Sequence, residues 1–270
     1  LMTTMMMAQY RVALHSNGSV SIYGGNNAFI DAYDDSVDGD LIYLPGGNLN
    51  YPLTINKSLT IIGVGHYPEA TAATNKTVLT GNLNIGENAD GLNLEGIHVT
   101  GQLGFLNNEK ADFVSLKRSR FGSISYNGGG ASPCTSNLIR ECVIDGNIAG
   151  SNADELLITN SIIGGYINNG KALTISNNIL TYNGQYVYLS FTNSIVSNNI
   201  HFKDNSSSMI NSFCNGNTFL NNIFKAGLPG RSNTYTNNFT DVDLSTVFEI
   251  APAASFDYDQ NYILLSNAQT

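Results

Sequence analysis

The chain has 270 residues, only 12% of them Asp, Glu, Lys or Arg, and a formal net charge of −9. That balance argues against a nucleic-acid surface, which needs clustered Lys and Arg, and no apolar run is long enough to span a bilayer. With 37 Asn and 27 Gly the chain is equally wrong for a helical protein, whereas 42% hydrophobic residues, including 14 Tyr and 12 Phe, are too many for disorder.

Residues 1–9 are uncharged and Met-rich and end in Ala8-Gln9. They read as the remnant of an export signal with a small-residue cleavage site, which places the protein outside the cell or at its surface. Residues 10–40 follow as a hairpin and a helix. Tyr10 to Leu14 and Val20 to Tyr23 flank His15-Ser-Asn-Gly-Ser19, the pattern of two strands joined by an Asn-Gly turn. Asn27 is placed to cap a short helix in which Phe29, Ile30, Tyr33 and Val37 share a face.

Residues 41–240 carry a repeat. An apolar residue, two or three polar ones and an apolar pair recur as Leu116 to Phe121, Ile139 to Ile144, Ile158 to Ile163 and Ile175 to Leu180. Further copies are Val196 to His201, Phe219 to Phe224 and Tyr235 to Thr240. Steps of 23, 19, 17, 21, 23 and 16 residues between the leading apolar positions give enough chain for one coil, not for one globular unit. The position three beyond each leading residue is held in turn by Ser119, Cys142, Ser161, Asn178, Asn199, Asn222 and Asn238. Coils stacked about 4.8 Å apart would pile these side chains into an axial column, where amides can hydrogen-bond as a ladder.

These repeats resemble those of the pectin-lyase-like parallel β-helix proteins, with their internal Asn ladder. Asp38 to Gly46 and Leu53 to Gly65 are similar to the first two coils of many secreted bacterial members. The resemblance implies an all-β, single-stranded right-handed parallel β-helix, a solenoid of about nine or ten coils, with the short helix covering its N-terminal end. Residues 241–270 lose the repeat and gain Pro252, Phe256, Tyr258 and Tyr262, and read as an irregular tail packed on the last coils. Cys134 and Cys214 share an offset but lie four coils, about 19 Å, apart, and Cys142 sits at the ladder position, so no disulfide is expected in the body.

Two groups of residues are candidates for chemistry. Lys117, Arg118, Arg120, Arg140, Glu141, Asp145, Asp154 and Glu155 form the first, which gathers scarce charges on adjacent coils, with Lys117 in register over Arg140 and Arg118 over Glu141. The resemblance implies a lyase reading for them, a Lys or Arg base beside a uronate carboxylate with Ca²⁺ as helper. The competing reading is a turn surface whose opposite charges offset one another. The glycosidase motifs of the fold do not occur, Gly65-His66-Tyr67 breaks the histidine motif, and the chain has no Trp. His15, His66, His98 and His201 lack ligand spacing, so no metal is expected, and Asp31, Asp34, Asp35, Asp38 and Asp40 lack the order of a calcium loop. The second group is Tyr126, Tyr166, Tyr182, Tyr186 and Tyr188, near Gly-Gly and Asn-Gly breaks, where rings and neighbouring amides suit sugars. The leading expectation is an exported solenoid that binds polysaccharide without a recognisable catalytic set. A polysaccharide lyase or glycoside hydrolase with a site from Lys117 to Asp145, and a structural or adhesive spacer, are the alternatives.

Overall fold

The computed structural model describes residues 10–66, 75–106, 109–126, 132–181, 189–202, 214–228, 232–253, 256–260 and 262–266. The chain winds as an all-β parallel solenoid with a single α-helix among the described residues. One wall is a stack of ten short parallel strands running from Leu41–Tyr43 through Asn93–Glu95 and Thr174–Ser176 to Thr234–Thr236. Strict register puts Ile42, Ile61, Leu94, Leu116, Ile139, Ile158, Ile175, Val196 and Phe219 in one inward column. All nine are fully buried, and each contributes on the order of 2 kcal/mol through the apolar surface it removes from water.

The rest of each coil supplies a second and a third wall. The second wall points Leu79, Val99, Phe121, Ile144, Ile163, Leu180, His201 and Phe224 inward. The third runs from Thr54–Ile55 and Leu83–Ile85 to Leu189–Thr192. All three walls are present for about seven turns, which corrects the expected nine or ten. The spacing of leading apolar residues counts rungs of the first wall, and that wall outlasts the others among the described residues.

Left-handed backbone closes each rung. Positive φ recurs two residues after the inward residue of the first wall, at Gly96, Arg118, Glu141, Asn160, Asn177, Asn198, Asn221 and Asn237. Asn tolerates this region because its short polar side chain bonds locally, which accounts for its frequency in the phrase. From Gly96 to Asn221 each of these residues points its backbone N–H at the next coil, as Glu141 does to the Thr159 carbonyl at 3.1 Å.

The N-terminal end is closed by two pieces. Arg11–Ser16 and Ser19–Gly24 form an antiparallel hairpin about Asn17 and Gly18, both at positive φ, and the first of these strands pairs antiparallel with Leu41–Tyr43. The helix Ala28–Asp35 buries Ala28, Phe29, Ala32 and Tyr33. Val37 is 53% exposed and Ile30 only half-buried, so the buried stripe differs from the expected one, with small Ala28 and Ala32 letting the helix approach the first coil. Asn27 occupies the cap position without bonding the helix through its side chain, whose Oδ1 instead accepts from Asn50 Nδ2 at 3.0 Å. Lys57 Nζ donates to the carbonyls of Tyr33, Asp34 and Ser36 at 2.6, 3.2 and 2.8 Å, a cation on the helix C-terminus.

Residues 241–253, 256–260 and 262–266 run as a strap over the outer face of the second wall. Leu244, Val247 and Phe248 pack on Ile200 and Phe202, with Ile179, Ile223 and Tyr262 at the edges. Farther along, Phe256 lies where a Cβ on Gly164 would have to go, at 2.9 Å, and Tyr258 reaches His66 in the second turn. The strap therefore covers far more of the solenoid than its last coils. Residues 1–9, read as an export signal, lie outside the described residues.

Candidate functional site

The corner between the first and second walls carries an amide ladder on its inside and a groove on its outside. Inside, Asn199 Oδ1 accepts from the backbone N–H of Asn178 at 2.8 Å and from its Nδ2 at 3.0 Å, while Asn199 Nδ2 donates to the Ile175 carbonyl at 2.8 Å. Asn222 treats Asn199 and Val196 in the same way, and Asn238 does so for Asn222 and Phe219. In the earlier coils Ser161 and Ser119 accept one backbone N–H each, from Cys142 and Ile97, and return their own protons to Thr159 and Lys117 in the same coil. All of these side chains except Asn238, which is half-buried, are buried.

Outside the ladder, the groove of about 520 Å³ runs along the corner from Gly63 to Ile162 and crosses five consecutive coils. Gly63, Gly65 and Gly96 keep its floor open, and Glu95, Arg118, Glu141 and Asn160 line it. Arg118 pairs closely with Glu95 and stands 3.9 Å from Glu141, so one guanidinium bridges the two groove carboxylates, and the Glu95 hydrogen bond raises its pKa. Arg140 Nε lies 3.5 Å from the other oxygen of Glu141.

The structure divides the charge group expected from the sequence into three. Lys117 and Arg140 are register partners on the flat outer face of the first wall. Arg118 and Glu141 enter the groove. Asp145 follows the second-wall strand Val143–Ile144, where Arg120 grips it in bidentate fashion with nitrogens 2.9 and 3.0 Å from its oxygens. Adjacent coils bring Asp145 and Lys117 near in sequence register, but Lys117 lies on the first wall and Asp145 follows the second.

A further cluster, not anticipated from the sequence, adjoins the groove at His66. The Tyr258 hydroxyl donates to the His66 carbonyl at 2.6 Å and lies 3.1 Å from His66 Nδ1. The Arg120 guanidinium sits 3.5 Å from the centre of the Tyr258 ring and Lys76 Nζ 5.0 Å from it. Burial first, and then the neighbouring cations, lower the pKa of both His66 and His98 to about 4, so both imidazoles are neutral near pH 7. The only local signal for this cluster was an aromatic-rich tail, and the contact of Tyr258 with His66 spans 192 residues of sequence.

The aromatic candidates fare differently. Tyr126 is fully buried and stacked on Phe105 with ring centroids 4.2 Å apart, and burial raises its pKa, so it is a core residue with no face for a ligand. Tyr166 is half-buried against the core. Tyr182, Tyr186 and Tyr188 lie outside the described residues. The acidic N-terminal residues are used internally, Asp38 accepting from Ser58 N and Asp40 from Val37 N, both at 2.8 Å, and Asp35 from the Tyr23 hydroxyl at 2.7 Å. Cys134, Cys142 and Cys214 are buried free thiols, and burial pushes Cys142 up to about 12. Among the described residues no three His, Cys, Asp or Glu side chains converge as metal ligands, and no helix is long and apolar enough to cross a membrane.

Comparison of the chain with protein-family models, with curated proteins and with solved structures returned no match.

Proposed function

We propose that this solenoid is an exported polysaccharide-binding protein whose ligand lies lengthwise in the corner groove. The observation that carries this reading is the path of the groove: it follows the solenoid axis across five coils, a shape suited to a linear polymer and not to a compact metabolite. Asn160 and the Glu95–Arg118–Glu141 relay supply polar partners for sugar hydroxyls along one edge.

Electrostatics favour binding over catalysis here. A lyase base needs a group relieved of its partners and a cation or metal set against the uronate carboxylate. Glu95 and Glu141 instead share Arg118, Asp145 is satisfied by Arg120, and Lys117 lies in register between Glu95 and Arg140 on an outward face. Affinity electrophoresis against a panel of neutral and uronate-containing polysaccharides tests the proposal. The Arg118→Ala/Glu141→Ala double variant should bind at least about tenfold more weakly, about 1.4 kcal/mol, with its circular dichroism unchanged. Equal binding by that variant, or unsaturated sugar ends released by the wild type with or without Ca²⁺, would overturn the proposal.

A further inference from the structure

The corner between the second and third walls is built on a contrasting plan. Gly81, Gly101, Gly122 and Gly146 stand in successive coils, and a Cβ on Gly101, Gly122 or Gly146 would lie 2.6, 2.6 or 2.8 Å from the carbonyl oxygen of the preceding glycine in the column. Backbone thus packs on backbone along the corner, with the Asn82 amide oxygen also against Gly101. Beside it run Asn82, Gln102, Ser123 and Asn147, ending at Tyr166, all uncharged. Asn82 Oδ1 accepts from Gln102 N at 2.8 Å and Asn147 Oδ1 from Tyr166 N at 3.0 Å, which leaves the amide N–H₂ ends as donors.

At the head of the strip is a pocket of about 370 Å³ that includes Asn48, Asn50, Tyr51, Leu53 and Thr80. The Tyr51 hydroxyl lies 3.0 and 3.1 Å from the carbonyls of Thr80 and Asn82, so the half-buried ring is pinned across the start of the glycine column. Leu53, 69% exposed, extends the apolar surface beside it. A rigid ring face next to amides and a hydroxyl is matched to a pyranose, whose C–H face covers the ring while its hydroxyls meet the amides.

From these features we infer that the second corner is a separate carbohydrate subsite for a linear neutral polysaccharide, with one pyranose on Tyr51 and the chain continuing along the glycine strip toward Tyr166. The charge pattern sets the ligand class: the pocket contains no charged side chain, and Asp145 beside the strip is already paired with Arg120, so a uronate would lose hydration without gaining a partner. Tyr51 to Tyr166 spans about 24 Å of stacked coils, enough for several sugars. This subsite does not depend on the groove at Arg118.

The test is calorimetric titration of the full chain with neutral gluco-, xylo- and manno-oligosaccharides and, separately, with polygalacturonate. At least one neutral oligosaccharide should bind. Tyr51→Ala should weaken that binding at least about tenfold, whereas Tyr51→Phe, which keeps the ring, should stay within about threefold. Ser123→Glu, a change on the strip that leaves the pocket and core intact, should also weaken it. Measured in the Arg118→Ala/Glu141→Ala background, in which the groove is weakened, the Tyr51-dependent part of the binding should persist, which separates failure of this subsite from failure of the groove. Neutral oligosaccharides that fail to bind the wild type, that bind folded Tyr51→Ala and Ser123→Glu as well as the wild type, or that bind less tightly than polygalacturonate at this corner would overturn the inference.

Discussion

The two corners that bound the second wall belong to the same coils and solve the same stacking problem with opposite residues. At the first corner the backbone turns through a left-handed residue whose side chain projects outward, so Gly96, Arg118, Glu141 and Asn160 follow one another and the exterior can become a charged groove. Inside that corner the stacking contact is made by side chains, the Asn ladder from Asn178 to Asn238. At the second corner the coils touch through the main chain, Gly101 N donating to the Gly81 carbonyl at 2.9 Å and Gly146 N to the Gly122 carbonyl at 2.8 Å. A Cβ is excluded at these glycines, and the residues beside them, from Asn82 to Asn147, are uncharged. One corner can therefore vary its surface chemistry from coil to coil, and the other cannot.

The largest effect that sharpens this contrast is expected inside the first corner. Asn199→Ala removes the acceptor of two donors on Asn178 and the donor to the Ile175 carbonyl, all buried. At about 1–3 kcal/mol for each group left without a partner, unfolding in urea should show a loss on the order of 5 kcal/mol. Ser161→Ala, which removes one bond between coils, should lose only about 1.5 kcal/mol; similar losses for the two would mean that the amides add nothing over hydroxyls.

Acid should act at the same place. His201 is fully buried in the second wall, stacked on Phe224 at 4.3 Å, and burial lowers its pKa from 6.5 to about 3. Because the folded value lies below the unfolded one, the neutral imidazole costs nothing above about pH 6.5, and stability is lost as the pH falls toward 3. The shift corresponds to roughly 4 kcal/mol by pH 3. His201→Phe should flatten thermal stability against pH across that window, and an unchanged slope would place the acid sensitivity elsewhere, at His66 and His98.

At the second corner Gly122→Ala sets a Cβ 2.6 Å from the carbonyls of both Gly101 and Thr100. Backbone cannot yield as a side chain would, and a loss of about 2–3 kcal/mol is expected from the denaturation midpoint. A neutral result would show that the column is a habit of sequence and not a packing requirement. The smallest effect has the opposite sign. Glu141 holds φ +57°, which Asn occupies more readily, and its ion pairs are exposed, so Glu141→Asn should raise stability by about 0.5 kcal/mol while weakening polysaccharide binding in the groove.

These residues also show how far the sequence can be read. The solenoid was legible because the inward aliphatic residue and the residue three beyond it recur at coil spacing, and strict register preserves that spacing in space. A second polar column two residues before the inward position was missed. Asn137, Ser194, Asn217 and Asn233 make ladder bonds there, as in Asn217 Nδ2 to Asn233 Oδ1 at 3.0 Å, but Leu92, Val114, Leu156 and Leu173 fill the same position in other coils and hide the pattern. The glycine column was invisible for a different reason, since Gly is frequent everywhere in the chain and only the coil register distinguishes Gly81, Gly101, Gly122 and Gly146 from other turns. The cluster of His66, Arg120 and Tyr258 depends on where the strap comes to rest, which no local periodicity encodes.

Native-state hydrogen exchange at two amides, Asn178 N–H and Gly146 N–H, tests the central claim that both corners bind coil to coil, one through side chains and one through main chain. Both protons should exchange only by global unfolding, with free energies that fall together in increasing denaturant, and Asn199→Ala should release the Asn178 proton to local opening while leaving Gly146 protected. Fast, denaturant-independent exchange at either amide in the wild type, or equal release of both in the variant, would contradict it.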